Sequence, residues 1–222
     1  MHNPHTRISS TDSHETPGAI LHQTSKYDQH TRWLGLGVNG PGSRMVVEMA
    51  QIKPGEAVLD VGCGTGSLTL TAKSAAGPSG SVSGLDASPE MIAEARKKAR
   101  QSGIDAAFEV GLIEQMPYPD RAFDVVISRL VIHHLPGELK RRGFTEILRV
   151  LKPGGRFFAA DFRPPSNPIL AHLVLVLVGH RMMQSKIEEV PPLLAEAGFI
   201  DVASGLTRSA LLGFVRGKRP IS

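Results

Sequence analysis

Cysteine is the scarcest signal in this chain: Cys63 is the only one among 222 residues. A single thiol excludes an intramolecular disulfide framework and any zinc site built from several cysteines, and it suits a reducing compartment. Aromatic residues are also few, 5% of the chain with one tryptophan and two tyrosines. That argues against a stacking platform for single-stranded nucleic acid. Long apolar runs are missing as well. The longest, Ile169 to Val178, spans ten residues and contains His172, about half of the ~20 that a membrane-spanning helix requires. No apolar stretch of signal-peptide length follows a basic start, so the expectation is a cytoplasmic chain without a membrane span.

What remains is ordinary for a globular α/β protein: 41% hydrophobic and 21% charged residues. A chain of this size buries roughly 70% of its unfolded surface. The net charge of +4 comes from short scattered groups, Lys97-Lys98, Lys140-Arg141-Arg142 and Arg216 to Arg219. Such groups read as solvated helix faces rather than a nucleic-acid patch. No nucleic-acid partner is expected.

Residues 1–25 are rich in His, Ser, Thr, Asp and Pro and read as a flexible tail, with too little apolar surface to offset the entropy of ordering. A single domain follows over 26–222, first anchored near Trp33-Leu34. Ser43 to Gln51 reads as a helix, and Ala57 to Val61 as a buried strand with the helix Gly66 to Ala76 leaving it. Ser81 to Leu85 is a second strand. Ser88-Pro89-Glu90 opens a helix with a cap, a first-turn proline and an acid at the positive end. Ala107 to Val110 and Phe123 to Ser128 follow as strands, then the helix Glu138 to Leu151 and the strand Arg156 to Asp161. Two closing strands near 199–206 and 209–216 read as a hairpin. This alternation predicts a Rossmann-like, mostly parallel seven-stranded sheet with helices on both faces and a C-terminal antiparallel hairpin. Ligands in such sheets bind at the carboxyl ends of the strands.

Three glycines at 62, 64 and 66 follow the first strand and open a helix. Glycines there allow a sharp turn and a close backbone approach by a ligand, and the helix start offers unpaired N–H groups. A dinucleotide fingerprint would place its third glycine at 67, where this chain has Ser67. Asp60, at the end of the strand, would repel a pyrophosphate and would suit a ligand carrying an amino group and a sulfonium. A nicotinamide-dependent oxidoreductase is disfavoured on both counts.

Val58-Leu59-Asp60-Val61-Gly62-Cys63-Gly64-Thr65-Gly66 resembles motif I of the class I S-adenosylmethionine-dependent methyltransferases. Phe123-Asp124-Val125-Val126 and Leu151-Lys152-Pro153-Gly154-Gly155 resemble two further signatures of that family, and its ubiquinone/menaquinone-biosynthesis group is the most similar in character. The resemblance implies S-adenosylmethionine as cofactor, with its methionine part held by Asp60, Gly62, Cys63, Gly64 and Gly66. It implies Asp86, beside Ala87, as acceptor for the ribose hydroxyls; capping is the alternative role for Asp86. Met91, Leu112 and Ile113 would lie about the adenine, and Ser128 at the rim. Many relatives carry Gly-Asp-Ala where this chain has Gly111-Leu112-Ile113. Leu112 accepts no hydrogen bond, so either packing and backbone groups or Glu114 would hold the adenine.

Methyl transfer from a sulfonium needs positioning and desolvation, with a base where the acceptor must lose a proton. Candidates are Ser128, Arg129, His133 and His134 after the fourth strand, and Asp161 and Arg163 after the fifth. Adjacent histidines on a helix cannot face the same way, so at most one of His133 and His134 meets substrate. Tyr27 resembles aromatics that close over the cofactor in relatives; simple packing is its alternative. The histidines lack an i, i+4 spacing or further ligands, so no metal is expected.

The apolar segment within 163–190 sits where relatives place a substrate-covering insertion. It reads either as a lid over a small apolar, lipid-like or quinone-like acceptor, or as a buried helix or dimer contact. A monomer or a homodimer fits, and peripheral lipid contact is left open. A cofactor-binding sensor or scaffold on the same fold is the alternative to an enzyme.

Overall fold

The computed structural model describes residues 37–163, 187–209 and 211–222. Tyr27, the 1–25 tail, the Trp33-Leu34 anchor and the 169–178 run lie outside them. Seven strands form one sheet in the order β3-β2-β1-β4-β5-β7-β6. Their ranges are β1 Ala57–Val61, β2 Ser81–Asp86, β3 Ala107–Val110, β4 Phe123–Arg129, β5 Leu151–Phe162, β6 Ile200–Leu206 and β7 Leu212–Lys218. β1 to β5 pair in parallel, while β7 runs antiparallel between β5 and β6. The mostly parallel sheet and its closing hairpin are as expected. The hairpin folds back so that its second strand, not its first, touches β5.

Among the described residues five α-helices accompany the sheet: α1 Pro41–Met49, α2 Ser67–Ala76, α3 Pro89–Ser102, α4 Gly137–Val150 and α5 Val190–Glu196. Alternation along β1 sends Leu59 and Val61 to one face and Val58 to the other. Leu59 and Val61 pack with Phe144 and Ile147 of α4 and Val190 and Leu194 of α5. Val58 packs with Met45 and Val46 of α1 and Leu68 and Ala72 of α2. Helices therefore cover both faces. The cap of α3 forms as its sequence predicts: Ser88 Oγ accepts from Met91 N at 3.2 Å and Pro89 occupies the first turn, a cap worth about 1 kcal/mol.

Several boundaries differ from the sequence reading, among them β7, at Leu212–Lys218 rather than 209–216. α1 begins at Pro41, whose fixed φ suits a first turn. It is over by Gln51, which is left-handed at φ 55°. β5 starts directly at Leu151, so Pro153-Gly154-Gly155 lies inside the strand instead of separating helix from strand. Asp124 explains the arrangement: its Oδ2 accepts from Ala57 N and from Lys152 Nζ, each at 2.8 Å, holding the starts of β1, β4 and β5 together.

Strand order reverses direction between β1 and β4, since β2 and β3 lie on one side of β1 and β4 and β5 on the other. A crevice opens at such a switch point, outside the carboxyl ends of the strands. The glycine turn after β1 and the segment after β4 both border it.

Candidate active site

The turn after β1 is shaped by its glycines. Gly62, Gly64 and Gly66 have φ of 71°, 52° and 81°, values that side chains with a Cβ adopt at a cost. Gly62 N and Cys63 N both donate to Leu85 O, at 2.7 and 3.0 Å, tying the turn to the end of β2. A Cβ on Gly62 would lie 2.3 Å from Val131 Cγ2. The chain leaving β4 thus lies directly against the turn. Leu130, just before Val131, is left-handed at φ 59°, and its N–H donates to Ala160 O at 3.0 Å.

Asp60 is buried at 1% exposure. Its Oδ2 accepts from Thr69 Oγ1 at 2.6 Å, and its Oδ1 is buried without a partner. Burial pushes the carboxyl pKa up to about 6, against the hydrogen bond from Thr69 and the charge of Arg129. Such an oxygen is costly to leave unpaired, and a ligand ammonium would satisfy it. That is the fit expected for the amino group of S-adenosylmethionine; a diphosphate would meet repulsion instead.

Asp86 is committed on both oxygens: Oδ2 accepts from Gly64 N at 2.8 Å and Oδ1 from Ser88 N at 2.9 Å. One carboxylate thereby spans the glycine turn and the start of α3. Burial raises its pKa, opposed by these N–H groups. Each oxygen keeps lone-pair capacity for a ribose hydroxyl. Capping and ligand binding, alternatives in the sequence reading, are compatible here.

The other cofactor candidates divide. Cys63 turns its side chain into a core with Leu70, Ile92 and Phe108, so only its backbone is open to a ligand, and burial raises its thiol pKa. Met91 is buried and Ala87 half-buried. Leu112 is half-buried and forms an isolated bridge with Gln115. Ile113 packs its side chain onto α4, where a Cβ on Gly143 would lie 3.0 Å from Ile113 Cγ1. Ser128 Oγ donates to Val61 O at 2.9 Å, which stitches β4 to β1 and leaves only lone pairs for a ligand.

The histidines sit in a 3₁₀ turn, Ile132–His134, with ring centroids 3.9 Å apart and planes at 44°. His133 is buried, and its Nδ1 lies 2.5 Å from Asp161 Oδ1. His133 N also donates to Asp161 Oδ2 at 3.1 Å. His133 Nε2 is buried without a partner. Asp161, named from the sequence only as one rim candidate, is thus tied to His133 by two hydrogen bonds. Its parity along β5 matches Phe157 and Ala159, which face α4 and α5. Lys98 Nζ, missed in the sequence, donates to Thr65 Oγ1 at 2.9 Å and braces the glycine turn from α3. No short-range pattern announces a contact 33 residues away.

Among the described residues, no group of three or more His, Cys, Asp or Glu could hold a metal ion. Likewise, no described helix is long and apolar enough to cross a membrane.

A family profile described as a methyltransferase domain matches residues 52–201, from just before β1 into β6. The chain is 33% identical over 160 residues to the ubiquinone/menaquinone biosynthesis C-methyltransferase UbiE of Ectopseudomonas mendocina, covering 71% of this chain and 62% of that protein. It is 35% identical over 170 residues to the arsenite methyltransferase of Halobacterium salinarum, covering 75% of this chain but 41% of the relative. The chain therefore spans less than two thirds of either relative's length. A solved S-adenosylmethionine-dependent methyltransferase from Aquifex aeolicus superposes with a TM-score of 0.68 at 21% identity, over 87% of this chain and 95% of that one, a likeness of fold. The matched span contains the sheet switch point, the glycine turn and both signature segments, and the chain belongs to the class I S-adenosylmethionine-dependent methyltransferases.

Proposed function

We propose that this chain transfers the methyl group of S-adenosylmethionine to a small, apolar, quinone-like acceptor. The observation that carries the cofactor assignment is the unpartnered Oδ1 of buried Asp60 beside the glycine turn. An ammonium there would form a charge-assisted bond and restore the carboxylate's ionisation. Asp60, Gly62, Cys63, Gly64 and Gly66 would hold the methionine part, with Asp86 and Ala87 at the ribose. Met91, Leu112 and Ile113 would border the adenine, and Ser128 the rim. The bound cofactor supplies an electrophilic methyl group on a sulfonium, and the protein's task is to align an acceptor behind it in a dry site.

Of the three catalytic candidates, His133 has the strongest support, because its Nε2 is a buried nitrogen with no partner. The His134 ring is tilted against it and would shape the wall. Tyr27 would close over the cofactor. The quinone-type acceptor is favoured over arsenite on chemical grounds. Trivalent arsenic is captured by several thiolates, and this chain has one buried cysteine.

Leu112 favours one second reading, a cofactor-binding sensor or scaffold, because it removes an acceptor for the adenine amino group. Calorimetric titration with S-adenosylmethionine and with NAD tests the cofactor. Saturable binding of the first alone is expected, and binding of NAD alone would reject the reading. Screening for S-adenosylhomocysteine release with pooled quinols, lipids and polar metabolites then separates enzyme from sensor.

A further inference from the structure

His133 and Asp161 form an enclosed pair whose side chains are 2% and 3% exposed. Asp161 Oδ1 receives His133 Nδ1 and, at 2.6 Å, Phe162 N; Asp161 Oδ2 receives His133 N. An ionised carboxylate can only accept. With two backbone N–H groups already donating to it, the pair is satisfied when Nδ1 carries the imidazole proton. The other ring nitrogen, Nε2, then holds a bare lone pair.

Lys140 of α4 is buried nearby; burial lowers its pKa, opposed by the charges of Glu189, in the 3₁₀ turn before α5, and of Asp161. The His134 ring lies tilted against that of His133. Val131, two residues before His133, fills the space over Gly62.

We infer that Asp161 is a positioning residue that fixes His133 as the Nδ1–H tautomer, making Nε2 a one-proton base for acceptors that must shed a proton to become nucleophilic. The inference rests on the methyltransferase reading above. His133 Nε2 takes the proton of an acceptor hydroxyl. The electron pair left on the acceptor forms the bond to the methyl carbon as the carbon–sulfur bond breaks, and the sulfur keeps that bond's electrons as a neutral thioether. Where a ring carbon is the nucleophile, its own proton passes to the oxygen, so one proton leaves per methyl in either case. It departs from Nε2 to water at product release, and the ring returns to its starting tautomer. Acceptors already nucleophilic without losing a proton gain nothing from this device.

The test is nitrogen NMR of the full chain labelled at histidine, with His133 assigned by its absence in His133→Gln. At pH 8 the wild type is expected to show a proton on Nδ1 and none on Nε2. A proton on Nε2, or an even mixture of tautomers, overturns the inference without any variant. In Asp161→Ala no side-chain acceptor faces Nδ1, and the Nδ1–H signature is expected to be lost. Calorimetric affinity for S-adenosylhomocysteine should stay within about threefold. An unchanged tautomer in a folded Asp161→Ala also overturns it. With an acceptor from the release screen, kcat should fall at least tenfold, given that acid–base groups contribute about 10²- to 10⁴-fold, while KM for S-adenosylmethionine holds; an unchanged kcat rejects the role. Absence of cofactor binding in the wild type would defeat the methyltransferase reading while leaving the tautomer result intact.

Discussion

Thr69 donates its hydroxyl proton to Asp60 Oδ2 at 2.6 Å, while the equally buried Oδ1 of the same carboxyl group has no partner. α2 therefore satisfies half of the carboxylate at the end of β1 and leaves the other half to a ligand. This asymmetry links stability, pH and cofactor binding.

Asp60 has its pKa raised by burial from 3.8 to about 6, so the folded protein binds this proton more tightly than the unfolded chain. Its contribution is then fully present at low pH and is lost as pH rises from about 4 through about 6, by roughly 3 kcal/mol in all. Glu56, Asp124 and Glu146 have lowered pKa values and act with the opposite sign. The measurement is therefore a difference. Urea unfolding of wild type and Asp60→Asn at pH 4.5 and 7 should show the variant gaining relative stability at the higher pH. Parallel pH profiles would exclude the raised pKa.

Cofactor binding should show the reverse dependence. A ligand cation needs the ionised carboxylate, so affinity for S-adenosylmethionine is expected to fall below about pH 6, approaching tenfold per unit. Asp60→Asn should weaken binding by roughly ten- to a hundredfold at pH 7.5 and flatten the profile. Calorimetry across pH 5 to 8 decides it, and an unaltered affinity in the variant would remove Asp60 from the site.

Gly62→Ala combines a left-handed backbone with a clash against Val131. A loss of about 2–4 kcal/mol is expected from the two terms together. Val131→Ala removes the clashing methyls but not the backbone strain, so the double variant should recover about half the loss. Denaturant midpoints of the four proteins form a cycle, and strict additivity would show that the contact is not what excludes a side chain.

Leu112→Asp should supply an acceptor for the adenine amino group and tighten S-adenosylmethionine binding by roughly three- to tenfold, the scale of one net hydrogen bond. A loss of affinity would mean that the adenine lies elsewhere or is held by packing on Leu112.

With an acceptor in hand, His133→Ala should lower kcat by about 10²- to 10⁴-fold, and His134→Ala and Tyr27→Phe by far less. If His134→Ala proves the more damaging, the Asp161-bound ring is the structural one and the base is its neighbour.

Much of the fold is legible in the sequence. Alternation of apolar strands with capped helices is local information, and Ser88, Pro89 and the glycine turn carried it. Boundaries were misread where a distant residue intervened. Lys152 reaches Asp124, 28 positions away, and keeps the Pro153-Gly154-Gly155 stretch within the sheet. Cys63 and Ile113 belong to site segments, yet both turn their side chains into the core. A motif specifies a backbone path more than a side-chain direction.

Sequence alone thus determined the sheet class, the glycine turn and the cofactor family, because propensity, hydrophobic period and motif spacing act over a few residues. Which residues become partners was decided in three dimensions. His133 and Asp161 are 28 positions apart and meet only because β4 and β5 pair in parallel and end side by side. Asp60 is half-satisfied because α2 packs Thr69 over β1, and the vacant lone pairs follow from burial, which no run of letters displays.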